Sequence, residues 1–421
     1  MLFVGAAPKD DKLKDEYFIN AFYFYGIEDW EEALYNFLKL GELRPNNASI
    51  EFFTGICYLN IPEKEYLAIP HLVRASKKVS QNATDDINET KAPLEAIFFL
   101  GSAYRYNNQL DEALLMYNKY IKIPFVQKNR NLNLIEQEIK ACERAKVIRD
   151  KPIDVKYTLL DSSINNSSAN YKPVISNDEN LIIFMNSLKF YNAIYMSRKI
   201  NEKWGEPENI SPQLGSDGDA EPSCISFDGQ QLYIVRKSRN QSDIYVSNWL
   251  GNRWSNMVAL NKKINTTKNE THVSISADGQ TLYFSSNRKG GEGGLDLYKS
   301  VKGSDGDWGE AINLGKKINT PFNENMPSIS ENGEILFFCS EGHLNMGGYD
   351  FFYSRKLDPN NWESPINMGF PINTTSDDLN LYLIKNGTIG ITSLTKTTGY
   401  GSKDIYLVEN KTFLSDSTLV K

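Results

Sequence analysis

The sequence is poor in the side chains from which metal and redox sites are built. Its 421 residues include four cysteines and three histidines. No two cysteines are spaced as in a zinc site or a CxxC redox pair, so neither is predicted. We expect buried free thiols, two in helices and two in strands. The cysteines are Cys57, Cys142, Cys224 and Cys339. We predict no metal site and no cofactor.

Sequence signatures of catalysis are also missing. There is no GxSxG elbow, no HExxH, no Walker loop and no GxGxxG after a strand. The histidines His71, His272 and His343 are far apart in the sequence. We therefore predict no catalytic residue and no enzymatic activity.

Long apolar stretches and an excess of basic charge are lacking too. No apolar stretch reaches the ~18–20 residues of a membrane span, so none is predicted. The net charge of −7 and the pI of about 5.3 argue against a nucleic-acid partner. The small residues at 4–7 resemble the end of a secretory signal, which we interpret as trimmed or incomplete.

The first third of the chain has a helical apolar period and no convincing strand signal. Ala21 and Gly55 lie at matching positions of two helix–turn–helix copies, 34 residues apart. In a third copy, the 12-residue step from Gly101 to Ala113 equals the step from Ala21 to Ala33. Small residues at these positions let paired helices approach closely. A period of 34 is typical of a tetratricopeptide repeat.

These copies predict an α-solenoid over residues 9–150. The second copy carries an insertion of 12 residues, which we place in the polar stretch 79–92. We expect a last amphipathic helix over 132–149 to cap the array, because the end of a solenoid otherwise exposes apolar surface.

After Pro152 the sequence changes to short alternating runs and turn residues. Asp278-Gly279 separates two such runs, which predicts a hairpin with a primed turn and positive φ at its centre. The same phrase recurs at steps of 50, 50, 54 and 54 residues. The turn dipeptides are Asp178-Glu179, Asp228-Gly229, Asp278-Gly279, Asn332-Gly333 and Asn386-Gly387.

Each copy of about 50 residues predicts four strands, so residues 151–414 are predicted to form a five-bladed β-propeller. A tryptophan is expected to open the fourth strand in four copies. The fifth copy lacks this strand, and residues 155–160 look like an unpaired one. We predict that this N-terminal strand completes the fifth blade and closes the ring. The tryptophans are Trp204, Trp254, Trp308 and Trp362.

Alignment of the copies places one polar residue of each just before its innermost strand. We predict that these five residues, here called the carboxylate ring, surround the mouth of the central channel and bind a basic segment of a partner or a cation. The alternative is that each caps a local turn by accepting backbone N–H bonds. They are Asn170, Asp219, Glu270, Glu324 and Asp378.

Both halves resemble known families. The first resembles tetratricopeptide-repeat domains, which implies binding of a peptide or protein. The second resembles the PD40 or WD40-like propeller repeat that includes the TolB propeller, which implies the fold more than a function. This second resemblance lies in Ser276-Ala277-Asp278-Gly279, Leu282–Arg288, Gly293–Tyr298 and Glu324–Ser330.

The order of the two halves resembles the PorE-like proteins of Bacteroidetes, which serve type IX secretion at the periplasmic face of the outer membrane. This resemblance implies a non-catalytic scaffold or adaptor that binds envelope or secretion-complex proteins and is peripheral to the membrane. The OmpA-like domain of those proteins has no counterpart in this sequence, so peptidoglycan binding is not expected. The alternatives are a glycan- or cell-wall-binding propeller and an enzyme that uses the propeller funnel.

Overall fold

The chain divides into two units, residues 1–147 and residues 148–421. The first is helical and the second is a five-bladed β-propeller. The computed structural model describes residues 9–62, 64–238, 241–396 and 398–415. The signal-like residues 4–7 lie outside this part.

The helical unit contains pairs of helices that follow each other along the chain and pack together. A 3₁₀ turn, Glu65–Leu67, precedes α4. The helices are α1 (Lys9–Gly26), α2 (Trp30–Leu43), α3 (Ala48–Leu59), α4 (Ala68–Ala75), α5 (Glu95–Tyr106), α6 (Leu110–Ile121), α7 (Pro124–Asn129) and α8 (Leu132–Arg149).

The small residues of the repeat pattern lie where paired helices touch. A Cβ atom added to Gly55 would lie 2.6 Å from Leu72 of α4, and one added to Gly101 would lie 2.8 Å from Tyr117 of α6. Ala33 is fully buried at the same contact between α1 and α2. The 12-residue spacing therefore marks the interhelical contacts.

The polar insertion departs from the all-helical expectation. Its ends form two short parallel strands, β1 (Val79–Ser80) and β2 (Ala92–Pro93). The N-cap of α3, Asn47, ties the insertion to the helices by donating to the carbonyl of Glu89 at 2.8 Å. Strands of two residues are too short to show a periodic apolar pattern, so the sequence contains no sign of them.

The last helix, α8, lies where a cap was predicted. Its Glu138 forms an ion pair with the buried Arg105 of α5, 2.9 Å from Nε, and accepts a hydrogen bond from Tyr117 of α6 at 3.2 Å. This buried ionic group fixes α8 against the preceding helix pair.

The propeller begins with β3 (Val155–Leu159), and its blades then follow in chain order. The first blade is β4 (Asn170–Ile175), β5 (Leu181–Ser187), β6 (Asn192–Ile200), β7 (Lys203–Trp204) and β8 (Glu208–Asn209), and a short helix, α9 (Ser211–Leu214), follows it. The second blade is β9 (Ala220–Ile225), β10 (Gln231–Lys237), β11 (Ser242–Asn248) and β12 (Val258–Ala259).

The third blade is β13 (Glu270–Ile275), β14 (Thr281–Ser286), β15 (Asp296–Val301) and β16 (Ile312–Asn313). The fourth is β17 (Glu324–Ile329), β18 (Ile335–Ser340), β19 (Asp350–Asp358), β20 (Asn361–Trp362) and β21 (Ile366–Asn367). The fifth is β22 (Tyr382–Ile384), β23 (Ile389–Leu394) and β24 (Asp404–Asn410), with α10 (Lys411–Ser415) after it. The first strand of each blade lies innermost, and these strands neighbour one another around the axis.

The fifth blade is closed by the N-terminal strand, as predicted. Strand β3 pairs antiparallel with β24, from Leu159 opposite Tyr406 to Val155 opposite Asn410. This pairing satisfies the N–H and C=O groups of β24 that would otherwise form an unpaired sheet edge.

The hairpin turns of the first four blades differ from the primed type, whereas Asn386 and Gly387 of the fifth both have a positive φ. At Asp278-Gly279 only the glycine has a positive φ, of 69°, whereas a type I′ turn needs two such residues. The hydroxyl of Ser276 extends the loop by accepting from the amide of Thr281 at 2.9 Å. The serine, rather than the dipeptide alone, therefore sets the length of the turn.

The repeated tryptophans precede the fourth strands instead of opening them. Trp204 and Trp362 lie in short hairpins that return to the third strand, and the fourth strand starts four residues later. Trp254 and Trp308 occupy the same place and pack against residues of the preceding blade. Their recurrence thus reflects packing between blades.

A buried polar side chain in the loop after each blade bonds to the backbone of that blade's third strand. In the third blade, Asn319 accepts from the amide of Leu297 at 2.8 Å and donates to its carbonyl at 3.0 Å. In the fifth, Asn165 makes the same two bonds to Ile405 at 2.7 and 3.1 Å. The set is Ser211, Asn265, Asn319, Asn373 and Asn165, and Ser211 only accepts from an amide.

Candidate functional site

The innermost strands of the first four blades are irregular at their midpoint. Each has a β-bulge, where its register with the second strand shifts. Lys172 and Met326 take positive φ there, of 48° and 52°, and Asn380 of the fifth blade has a φ of 68°. Bulges re-aim side chains, and here they aim them at the propeller axis.

A small cavity of about 30 Å³ lies among these residues. All five blades line it, so it lies on the axis. Its lining residues are Lys172, Pro173, Val174, Pro222, Ser223, His272, Met326, Asn380 and Tyr382. We call this opening the bulge-side mouth.

Two lysines share one carboxylate at the bulge-side mouth. Glu221 accepts from Lys172 in a short ion pair and from Lys237 at 3.0 Å. Burial alone would raise the pKa of Glu221, but the two ammonium groups outweigh burial and lower it. Burial lowers the pKa of Lys172 despite the carboxylate. Two ammonium groups against one carboxylate leave the group net positive.

His272 lies in the same cavity. Its Nδ1 is 2.9 Å from Oδ1 of Asn325, to which Thr271 donates at 3.0 Å. Burial, together with the charge of Lys172, lowers the pKa of His272 to about 4. The imidazole is therefore neutral near pH 7 and acts as a hydrogen-bonding group.

Tyr382 divides the channel. Equivalent positions in the other blades carry the small residues Val174, Cys224, Ser274 and Ser328. The Tyr382 side chain crosses to the second blade, where its hydroxyl lies 3.6 Å from Cys224 Sγ and 3.5 Å from the carbonyl oxygen of Ile225. It lines both the bulge-side cavity and a second one nearer the hairpin turns. The bulge-side mouth is thus a blind recess.

Two members of the carboxylate ring bond to their own blades. Glu270 has no exposed surface and accepts from the amide and hydroxyl of Thr266, both at 2.9 Å, and from Ser286 at 2.7 Å. Glu324 is equally buried and repeats this pattern with Thr320 and Ser340. Burial raises the pKa of Glu324 to about 7.

The strand register corrects the placement of Asp219 in the ring. Ala220, not Asp219, pairs with Arg236 where Glu270 pairs with Ser286. Asp219 lies one residue earlier and forms a short ion pair with Arg236. The alignment failed by one residue because an acidic residue happens to precede the true position.

The last two members differ in environment. Asn170 is buried and accepts from Asn186 at 2.7 Å. Asp378 accepts from the amide and, at 3.1 Å, from the hydroxyl of Thr374, and it lines a separate cavity. These local bonds are those expected of turn caps, and partner binding by the ring stays a prediction.

The residues at the bulge-side mouth were missed from the sequence, although a signal for them exists. Proline interrupts three of the innermost strands, as Pro173, Pro222 and Pro327. Proline inside a strand pattern marks an edge or a bulge, and these strands are not edges. The prolines therefore indicate where side chains turn toward the axis.

The described residues contain no group of three or more His, Cys, Asp or Glu side chains arranged to hold a metal ion. No described helix is long and apolar enough to cross a bilayer. All four cysteines are buried and unpaired with one another.

No protein-family model matches the sequence, and no curated protein matches it. Similar solved structures include TolB from Acinetobacter baumannii, at 16% identity over 65% of this chain and 70% of that one, with a TM-score of 0.39. They also include the catalytic domain of a Coprinopsis cinerea α-L-arabinofuranosidase, at 9% identity over 62% and 98%, with a TM-score of 0.42. An α-L-arabinofuranosidase from Lactobacillus brevis has 12% identity over 60% and 92%, and a TM-score of 0.39. Such low similarity carries no information about activity.

Proposed function

We propose that this chain is a non-catalytic adaptor whose propeller binds an acidic segment of a protein partner at the bulge-side mouth. The observation that carries the proposal is the cluster of Lys172, Glu221 and Lys237, which bulged strands hold at a blind recess. The cluster keeps a net positive charge on a chain of net charge −7, so it favours a carboxylate-bearing segment over a basic one.

The cellular setting of the adaptor is proposed from the sequence resemblance. We place it at the periplasmic side of the outer membrane, in or near a secretion or envelope complex of the type IX kind. In this setting the helical unit, which resembles tetratricopeptide repeats, binds a second protein. Cell fractionation with an antibody to the chain tests this location, and recovery with cytoplasmic markers would contradict it.

The tryptophans that recur in the second, third and fourth blades give no support to glycan binding. Stacking on a sugar needs an exposed aromatic face. Trp254, Trp308 and Trp362 are each at most 5% exposed. They fill spaces between blades and offer no stacking face.

Glycoside hydrolysis likewise lacks support at the axis. It uses two carboxyl groups on either side of the scissile bond. The described residues that line the two axial cavities include no carboxylate, and the nearby Glu221 is held by two lysines. We therefore propose binding rather than catalysis.

The test compares two charge removals by affinity purification from the native host. Lys237→Gln removes an ammonium group at the bulge-side mouth, whereas Lys203→Gln removes one from the exposed hairpin β6–β7, outside this recess. We expect the wild type and Lys203→Gln to retain the same partner and Lys237→Gln to lose most of it, with melting temperatures unchanged. Equal retention by both variants would contradict the proposal.

A further inference from the structure

A cavity of about 240 Å³ lies between the fourth and fifth blades. It is larger than the axial cavity and separate from it. Its lining is mostly apolar, with three hydroxyls, one carboxyl group and one amine. The lining residues are Tyr157, Phe351, Pro371, Ile372, Thr374, Asp378, Leu379, Leu381, Thr392, Leu394 and Lys396.

The third blade shows what normally fills this space. There Arg288 lies against the rings of Phe284 and Tyr298, 4.9 Å from each centroid. Its guanidinium donates to the carbonyl of Ile264 at 2.6 Å and to Glu270 at 3.3 Å. The guanidinium of Arg288 thus links the carboxylate of Glu270 to the loop that precedes the third blade.

The fourth blade fills the same space with another nitrogen donor. His343 lies beside Phe338, and its Nε2 is 2.8 Å from the carbonyl oxygen of Ile318. Ile318 precedes the fourth blade as Ile264 precedes the third. Both blades therefore use an aromatic wall, a loop carbonyl and an N–H donor.

In the fifth blade the side chains at these positions are replaced. In the third blade Phe284 pairs with Tyr298, and at the same position of the fifth blade Thr392 pairs with Tyr406. The fifth blade therefore lacks this phenyl ring. Leu394 replaces the serine that donates to Glu270 in the third blade. Lys396 occupies the position of Arg288, ten residues after the start of the turn dipeptide. Its amine lies over the rings of Tyr157 and Tyr406, at 5.3 and 4.8 Å, whereas the described partner of the Asp378 carboxyl group is Thr374.

The innermost strand is also shorter in this blade. Strand β22 starts at Tyr382, whereas the other four innermost strands have six residues. Asp378, Leu379 and Leu381 therefore line the cavity instead of pairing with β23. Asp378 stands at its wall with Thr374 as the partner of its carboxyl group.

We infer that the cavity between the fourth and fifth blades binds a guanidinium or ammonium group on a short aliphatic stem. The N–H groups of the cation take the place that the Arg288 guanidinium has beside Glu270, here on Asp378, and its stem lies against Leu379, Leu381 and Leu394. Burial and the nearby Asp350 raise the pKa of Asp378, and a bound cation would stabilise the ionised carboxylate.

The test titrates the full chain with n-butylguanidinium by isothermal calorimetry. A ligand of this size is expected to bind with a Kd of about 1 mM. N-butylurea, a neutral compound of the same shape, is expected to bind at least tenfold more weakly. Equal binding of the two, or no binding of the cation, would overturn the inference.

Two variants locate the site. Thr392→Phe restores the ring found in the third blade and is expected to abolish binding, and Asp378→Asn is expected to weaken it at least tenfold. Thr158→Phe is the matched control, because this exposed residue of β3 lies in the same blade outside the cavity, and it is expected to bind normally. Undiminished binding by Asp378→Asn would overturn the inference even if Thr392→Phe failed to fold.

The cation has two sources, a free small molecule or an arginine side chain of another protein. The peptide Gly-Arg-Gly distinguishes them. Binding of the peptide at least as tight as that of n-butylguanidinium supports a protein source. Binding of the free compound alone supports a small molecule.

Discussion

The third and fifth blades share one plan but complete it differently. In the third blade every strand and polar partner comes from within about 55 residues, and Asn319 bonds to Leu297 only 22 residues away. In the fifth, the outer strand and the partner of Ile405 come from residues 155–165, and Asn165 is 240 residues away. The same type of hydrogen bond thus connects neighbouring segments in the third blade, whereas in the fifth blade it connects the start of the propeller to its end.

The difference shows which parts of a blade are needed for the fold. The fifth blade keeps the third-strand pairing and the buried asparagine, but its inner strand is shorter, and Thr392 and Lys396 stand where the third blade has Phe284 and Arg288. The kept parts hold the ring together, and the lost parts leave a cavity. Substitutions at matched positions test this division.

Deletion of residues 154–161 should have the largest effect. It removes the five paired residues of β3 and exposes the edge of β24. We therefore expect a loss of at least about 4 kcal/mol in the free energy of unfolding of the propeller. Five of the six tryptophans lie in the propeller, so tryptophan fluorescence during urea unfolding measures it.

Deletion of residues 82–88, in the insertion of the helical unit, is the control for a similar loss of chain. It should leave the propeller transition in place. A propeller transition unchanged by loss of β3 would show that the ring does not depend on its closing strand.

Glu270→Gln should have the next largest effect. The substitution leaves the guanidinium of Arg288, which is 14% exposed, without its carboxylate partner. We expect a cost of about 2–4 kcal/mol in chemical denaturation at pH 7. A cost below that of a typical surface substitution would mean that the ion pair does not hold the third blade.

Glu324→Gln extends the comparison to the fourth blade and should depend on pH. The pKa of Glu324 is about 7, above its ordinary value of 4.5. Its contribution to stability is therefore complete below pH 4.5 and is lost as pH rises through 7, on the order of 3 kcal/mol. The glutamine variant should lack this decline, so its stability relative to wild type should rise between pH 5 and 8.

Asn319→Ala and Asn165→Ala should have similar, smaller effects. Each leaves a buried strand amide and carbonyl without a partner, which costs about 2 kcal/mol. Both asparagines are 1% exposed, so the two losses should agree within about 1 kcal/mol. A much larger loss at Asn165 would mean that the seam is weaker than the other blade contacts.

Lys156→Ala should have the smallest effect. Lys156 bonds to Glu409 across the seam at 2.7 Å, but its side chain is 57% exposed. Solvent screens such a pair, so we expect a change below about 0.5 kcal/mol. A larger change in thermal unfolding would show that charge, besides backbone pairing, holds the closing strand.

Sequence patterns predicted the repeat, the five blades and the closing strand, because turn residues and strand alternation are local and recur. They misplaced Asp219 by one residue, since the alignment followed acidic identity and ignored the register that pairing imposes. The bulges, the barrier formed by Tyr382 and the cavity beside Asp378 depend on contacts between blades. Pro173, Pro222 and Pro327 were the sequence signal for the bulges. The replacement of a phenylalanine by Thr392 can be read from the sequence only when the five copies are aligned residue by residue.

The seam has a consequence for how the protein is made. Strand β3 leaves the ribosome about 245 residues before its partner β24, which spans Asp404–Asn410. During that interval β3 has no partner strand and the ring of blades is open. The ring can close only after β24 of the fifth blade has been translated. The newborn chain must therefore be shielded from proteases and from its neighbours for longer than a protein whose blades each finish on their own.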